Sequence, residues 1–442
     1  MSINDDLGLA HSGASVDSLA HYRRALHQFA CYIEDPLASV EAALAESPDF
    51  VMAHVFKAYL HLLGTEPAAI LVAADCLATA RKLPANARER GHLAAIGQML
   101  DDQWHRAGRT LEDVAIDTPR DSLALQAGHL CDFYVGNSRL LRDRIARALP
   151  AWSPSMPGYH AILGMHAFGL EEMADYARAE AQGRTAVELE PRNGWAWHAV
   201  AHVIEMQCRT RDGIAWLGDS ADLWSADSFF KVHLWWHLAL YHLELGEIDE
   251  VLALFDGPIH GARSTVVLDM IDASAMLWRL QLRGVNVGQR WATVADGWQP
   301  IATAGNYAFN DVHAVMAFVG AQRPDSVAAV LETQQRVMQG AGDNAAFTRE
   351  VGQPLALAIK AFGQGRYDEC VRLIRNIRGI AHRFGGSHAQ RDLLDLTLIE
   401  AALRSGQQAL ATALCAERLT TRGHSPLTRQ LLARCEPLRA AA

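Results

Sequence analysis

Two stretches hold histidines one helical turn apart. HAVAHVIEM (198–206) places His198, His202 and Glu205 at i, i+4 and i+7, and HLWWHLALYHLELG (233–246) places His233 and His237 at i and i+4. At 100° per residue such positions fall within about 60° of one another, so each set forms one polar stripe on a helix. His242 points about 180° from His233 and is expected to be structural, while Glu244, at i+11, returns to the His233 side. His198 and His233 are 35 residues apart, close to one helix-pair repeat, which assigns the stripes to neighbouring helices. Three chemistries suit paired imidazoles flanked by carboxylates. A divalent transition metal could take His198, His202, His233 and His237 as ligands. A His–carboxylate couple could act as general acid and base, with the carboxylate fixing the tautomer. Neutral His and Trp could simply recognise a polar ligand. The plain alternative is hydrogen-bonded core histidines, and HExxH and the standard Cys/His zinc spacings are missing.

Other groups in helical segments extend the candidate site. Trp195, Trp235, Trp236 and Tyr241 supply apolar walls with polar edges. Asp269 and Asp272, in VVLDMIDASAMLWRL, are expected to act as acid/base partners or to pair with Arg279. FNDVHAVMAF contributes Asp311 and His313, with Asn310 either the helix N-cap or a further member of the site. Glu171 should return to the face of His160. GGSHAQRD opens a late helix where Arg391 could clamp a carboxylate, an ordinary inter-helix loop being the simpler account. No nucleophile elbow, P-loop or dinucleotide fingerprint is present, and no Cys stands beside a His at motif spacing.

These residues are carried by helices. Apolar periodicity is broken every 12 to 18 residues, as in DPLASVEAALAE, DFVMAHVFKAYLHLLG and EPAAILVAADCLATARKL, with acidic residues near the starts and Gly near the ends. Almost nothing reads as a strand. A degenerate tetratricopeptide-like order recurs: ARAEAQGRTAVELEPRNGWAWHAVAHVIEM, WWHLALYHLELGEIDEVLALFD, LALAIKAFGQGRYDECVRLI and ALAESPDFVMAHVFKAYLHLLG. The fold expected is all-α, a tetratricopeptide-like α-α solenoid curled around a concave pocket. Residues 1–17 read as an N-terminal extension and 18–442 as one helical-repeat domain.

MAHVFKAYL (52–60), PRDSLALQAGHLCDFYVG (119–136), HAVAHVIEM, HLWWHLALYHLELG, FNDVHAVMAF (309–318) and GGSHAQRD (385–392) together resemble the tetratricopeptide repeat protein 38 family over nearly the whole chain. The resemblance implies a closed-up helical-repeat fold. It implies no catalytic residue set, so function has to be argued from the site.

The totals bound the answer. The chain has 442 residues, half of them hydrophobic, and a formal charge of −10, which argues against nucleic acid and anionic membranes. Seven cysteines without a CxxC pair fit reduced thiols, and the start shows no secretory signal, so a cytoplasmic protein is expected. The 20 histidines are about twice the ordinary share. The reading is a His/Trp/carboxylate pocket for a small polar molecule, an acid–base hydrolase or lyase. Its alternatives are a scaffold for a protein or peptide partner and a metal-dependent enzyme. No cofactor is implied beyond a divalent transition metal, and a homodimer is compatible with the pattern.

Overall fold

The computed structural model describes residues 2–435, and helix follows helix along nearly all of them. The chain forms two compact units. The first comprises the residues up to Val203 together with Ala221–Lys231, and the second comprises Ile204–Ser220 and the chain from Val232 onward. The switch falls inside one continuous helix, Gly194–Met206.

Local rules account for most boundaries. Helix Val16–Cys31 begins at a reciprocal capping box of Ser15 and Ser18 and stops at Tyr32, which takes a left-handed conformation. Pro36–Glu46 starts with Asp35 as cap and Pro36 in the first turn, where its missing N–H costs nothing. Gly246 and Gly365 adopt positive φ between paired helices, the role the repeat pattern gives them.

In the first unit each helix packs mainly on the next: Val51–Leu62 on Ala69–Ala80, Ala87–Leu100 on Trp104–Asp117, Tyr159–Glu171 on Tyr176–Leu189. Crossings are close where small residues allow it. A Cβ on Gly169 would come within 2.5 Å of the Leu141 backbone, so helix Tyr159–Glu171 can cross Ser138–Ala148 only with glycine there. The segment read as an extension is folded. Ser2–Asn4 and Ala10–Ser12 pair as an antiparallel hairpin whose turn is held by Asp5, and His11 is buried against Tyr22 and Phe50. Three-residue strands leave too short an alternation to be read from sequence.

In the second unit, Val267–Leu282, Ala308–Gly320 and Gln353–Gly363 lie in a row, each with its partner helix, Arg290–Trp298, Pro324–Val337 and Tyr367–Ile377. The row curls until His388–Arg404 meets Val267–Leu282, where Trp278 Nε1 donates to Thr397 Oγ1 at 3.0 Å. Asn310 is not the cap of its helix. The helix begins at Ala308, and the Ala308 N–H is taken by Asn344 Oδ1 at 2.8 Å, a partner 36 residues away. The described residues are therefore all-α, a tetratricopeptide-like succession of helix pairs, with the short hairpin, three 3-10 stretches and two π-turns, Phe255–Ile259 and Thr348–Gly352, beside them. Among the described residues no helix is long and apolar enough to cross a membrane. None of the seven cysteines is in a disulfide.

Candidate functional site

In the first unit, Asn193 starts helix Gly194–Met206 by accepting the Ala196 N–H at 3.1 Å. One turn on, the i,i+4 geometry brings His198 Nε2 within 2.9 Å of His202 Nε2, so one proton bridges the two rings. His202 Nδ1 lies 3.8 Å from Glu171 Oε2, and Glu172 completes a cluster of three ligand-type atoms within 4.8 Å of one another. His198 stacks on Phe168, and Trp195 lies beside it with its own ring stacked on Tyr32. Glu171 therefore approaches His202, at an ion-pair distance too long for a good hydrogen bond, and not the His160 to which the stripe argument turned it. Angular position alone misleads here: residues eleven apart share a face but are separated by about 16 Å along the axis.

In the second unit the partners of the other pair are explicit. His233 Nδ1 is 2.8 Å from Asp272 Oδ2, and His237 Nδ1 is 3.3 Å from Glu205 Oε2. Burial alone would raise the Glu205 carboxyl, but the His237 hydrogen bond and Arg422 outweigh it and hold it below its ordinary value. Burial lowers His237, so the couple is a neutral imidazole against a carboxylate. Trp236, fully buried, stacks on His233, meets His237 edge-on and receives the Arg279 guanidinium 5.3 Å from its ring centroid. Tyr241 is buried with its ring against Gly213. His242 points away and joins Glu247 at 2.7 Å, structural as its angle implied, though through a carboxylate.

Several expectations are corrected. Asp272 does not pair with Arg279; seven residues, about 10 Å of axis, separate them, and Arg279 donates instead to the Ala389 and Ala275 carbonyls. Asp269 is half-buried one turn before Asp272. Glu244, like Glu171, shares an angle with its histidine but not a height, and accepts from Ser425 Oγ and from Leu427 N–H. His313 donates from Nδ1 to the Phe309 carbonyl at 2.8 Å, and burial lowers it to about 4. Asp311 faces elsewhere, two residues being about 200° of helix. Burial beside Gln334 raises its carboxyl to about 7. Arg391 is spent on its own turn, donating to the Gly386 carbonyl and reaching His388, while Ser387 and Gln390 form a capping box.

Sequence reasoning missed the arginines that surround these couples. Arg418 holds Asp392 through both oxygens and reaches Thr428 Oγ1, and Arg422 Nη2 lies 3.3 Å from Glu205 Oε1. Burial would raise Asp392, but Arg418 and Arg422 prevail and keep it far below the carboxylate range. Arg279 and Arg283, one turn apart, have no carboxylate bonded to them among the described residues. Burial lowers both to about 10. They border a small chamber with Glu205, Glu244, Asp392 and Arg422, and also an adjoining cleft of about 560 Å³ that holds Arg404, Arg434 and Glu400. The one signal in the sequence was the density of arginine between 378 and 434.

No family model matches the chain. Among solved structures it is similar to the human IFIT1 dimer with m7Gppp-AAAA, at 14% identity over 98% of this chain and 95% of that one, with a TM-score of 0.40. It is also similar to yeast Tom70, at 10% identity over 95% and 94% of the two chains and a TM-score of 0.34. The APC/C hetero-tetramer Cut9-Hcn1 follows at 12% identity, 94% and 95% coverage and a TM-score of 0.33. Scores this low carry no argument, and the tetratricopeptide-like character rests on the helix pairs themselves.

Proposed function

We propose that this is a helical-repeat binding protein whose second unit holds an anionic ligand, a carboxylate or a phosphate, on Arg279 and Arg283. One observation carries the reading: two neighbouring guanidiniums, both weakened by burial, border a 560 Å³ cleft without a carboxylate bonded to them among the described residues. Arginines this far out of water with no carboxylate bonded to them are costly, even with Asp392, Glu205 and Glu244 nearby, and a ligand that brings charge and acceptors offsets that cost. The balance favours an anion. Arg279, Arg283, Arg418 and Arg422 stand against Glu205, Glu244 and Asp392, and Arg404 and Arg434 share Glu400 alone. The volume suits a small metabolite or the end of an acidic peptide.

Acid–base catalysis is the finer form of this reading. His233 is hydrogen-bonded to Asp272, which fixes its tautomer, and His237 lies 3.3 Å from Glu205 in the same unit, an arrangement that a hydrolase or lyase could use. The scaffold reading differs only in the owner of the anionic group, a protein partner in place of a metabolite. Membership of the tetratricopeptide repeat protein 38 family remains our reading of the six stretches. The capped RNA of the IFIT1 structure belongs to that protein, and the acidic charge of this chain argues against such a partner.

Calorimetry with inorganic phosphate, sugar phosphates, di- and tricarboxylates and an acidic peptide tests the proposal. Wild type should bind at least one class, and Arg283→Ala should weaken it tenfold to a hundredfold, the size of about one charge-assisted hydrogen bond. Binding of the peptide alone selects the scaffold. Turnover abolished in His237→Gln with binding intact selects the enzyme. If no anion binds, or if Arg283→Ala binds unchanged, the reading fails.

A further inference from the structure

Four residues of the first unit, apart from the His198–His202 cluster, converge at one point. His27 and Cys31 lie one turn apart at the end of helix Val16–Cys31, a spacing overlooked in the motif reading. His160 is the second residue of helix Tyr159–Glu171, and Glu190 caps the C-terminus of Tyr176–Leu189. One ligand-type atom of each lies within 4.8 Å of every other. We infer that His27, Cys31, His160 and Glu190 form a zinc site that ties these three helices together.

The cluster is not explained by its own hydrogen bonds. Cys31 Sγ is 3.9 Å from His27 Nδ1, and His27 Nε2 is 3.8 Å from Glu190 Oε2, both too long for good bonds. The rings of His27 and His160 stand at 76° with centroids 5.8 Å apart, converging without stacking. Zinc bonds of about 2.0–2.3 Å in a tetrahedron put ligand atoms about 3.3–3.8 Å apart, so small side-chain rotations close the set. Orientation is already fixed on two members. Glu190 Oε1 accepts the Arg192 N–H at 3.1 Å, which turns Oε2 toward His27. Asn193 Nδ2 lies 3.1 Å from His160 Nδ1 and occupies that nitrogen, so zinc would be taken by Nε2 once it gives up the ring proton.

The donor chemistry selects the metal. One thiolate, two imidazoles and one carboxylate suit zinc, whereas the sulfur and nitrogens exclude magnesium and calcium. Thiolate and carboxylate together neutralise a divalent ion. The nearby cation, Arg192, is engaged by Glu34 at 3.2 Å. Cys31 is buried and His27 exposed, which places the sulfur at the floor of the site and an imidazole at its mouth.

The test uses the full chain stripped with a chelator. Zinc affinity is read by competition with a chromophoric chelator, and cobalt serves as the spectroscopic probe. One equivalent should bind with an increase in Tm, and the cobalt form should show a thiolate-to-metal charge-transfer band. Cys31→Ala should abolish the band, and exposed His27→Ala, which keeps the fold, should weaken zinc at least tenfold. Ligation at His160 Nε2 moves the ring proton to Nδ1, so Asn193→Asp, with an acceptor there, should tighten binding several-fold. Protein that takes up no zinc at micromolar concentration overturns the assignment, as does a cobalt spectrum without the thiolate band or an affinity that His27→Ala leaves unchanged.

Discussion

The Arg279 guanidinium lies 5.3 Å from the Trp236 ring centroid and donates to the Ala389 carbonyl, so its charge is solvated by a ring face and a peptide oxygen. Neither supplies a full negative charge. A cation–π contact contributes about 0.5–2 kcal/mol, well below what a buried ion gives up on leaving water. Under the proposed function, an incoming anion at Arg279 and Arg283 would relieve this imbalance.

Arg283→Met follows from that imbalance. Removing a half-buried cation that has no carboxylate bonded to it, while keeping its stem, should stabilise the ligand-free protein by about 1 kcal/mol, against the usual trend of mutations to destabilise. Chemical unfolding of both proteins in low-phosphate buffer measures it. A loss of stability would show that the guanidinium is already satisfied.

Glu205→Gln keeps the size of a side chain that faces both His237 and Arg422 but removes its charge. Breaking a buried ionic group from one side should cost about 3–5 kcal/mol, and urea unfolding reads it. The native carboxyl lies below its ordinary value. Its stabilisation is therefore complete above the unfolded carboxylate range and is lost as pH falls through the lowered native value. The variant should accordingly differ least from wild type in acid.

Helix Ala308–Gly320 holds two opposed titrations. Burial raises Asp311 to about 7, and burial lowers His313 to about 4. Between about pH 4 and 6.5 the unfolded chain has released the Asp311 proton and taken one up on His313, while the folded chain keeps both neutral. Asp311 thus makes stability fall as pH rises, and His313 makes it rise. Asp311→Asn should tilt the stability-against-pH curve upward by up to about 1.4 kcal/mol per pH unit relative to wild type, and His313→Gln should tilt it downward by as much. Parallel curves for all three proteins would refute this.

Gly213→Ala sets two effects against each other. Alanine favours a helix over glycine by about 1 kcal/mol, yet its Cβ would sit 2.3 Å from the Tyr241 ring. Overpacking of about 1–3 kcal/mol should win, and Tyr241→Leu in the same chain should recover most of the loss. Thermal unfolding of the two single variants and the double variant checks the coupling.

By itself the sequence determined the helices, the glycine turns and the two i,i+4 histidine pairs. Each depends on groups within about four residues, where helical geometry is fixed. His198 meets His202, and His242 turns away, as that geometry requires. Only the tertiary structure decided the rest, because a helical angle says nothing of height along the axis or of which helix stands opposite. It matched His233 with Asp272, 39 residues on, gave Glu171 to His202, and replaced the expected Asn310 cap with Asn344. It also gathered His27, Cys31, His160 and Glu190 from three helices and left Arg279 and Arg283 without a carboxylate bonded to them among the described residues. Those pairings depend on how helices cross, which is decided by packing along the whole repeat.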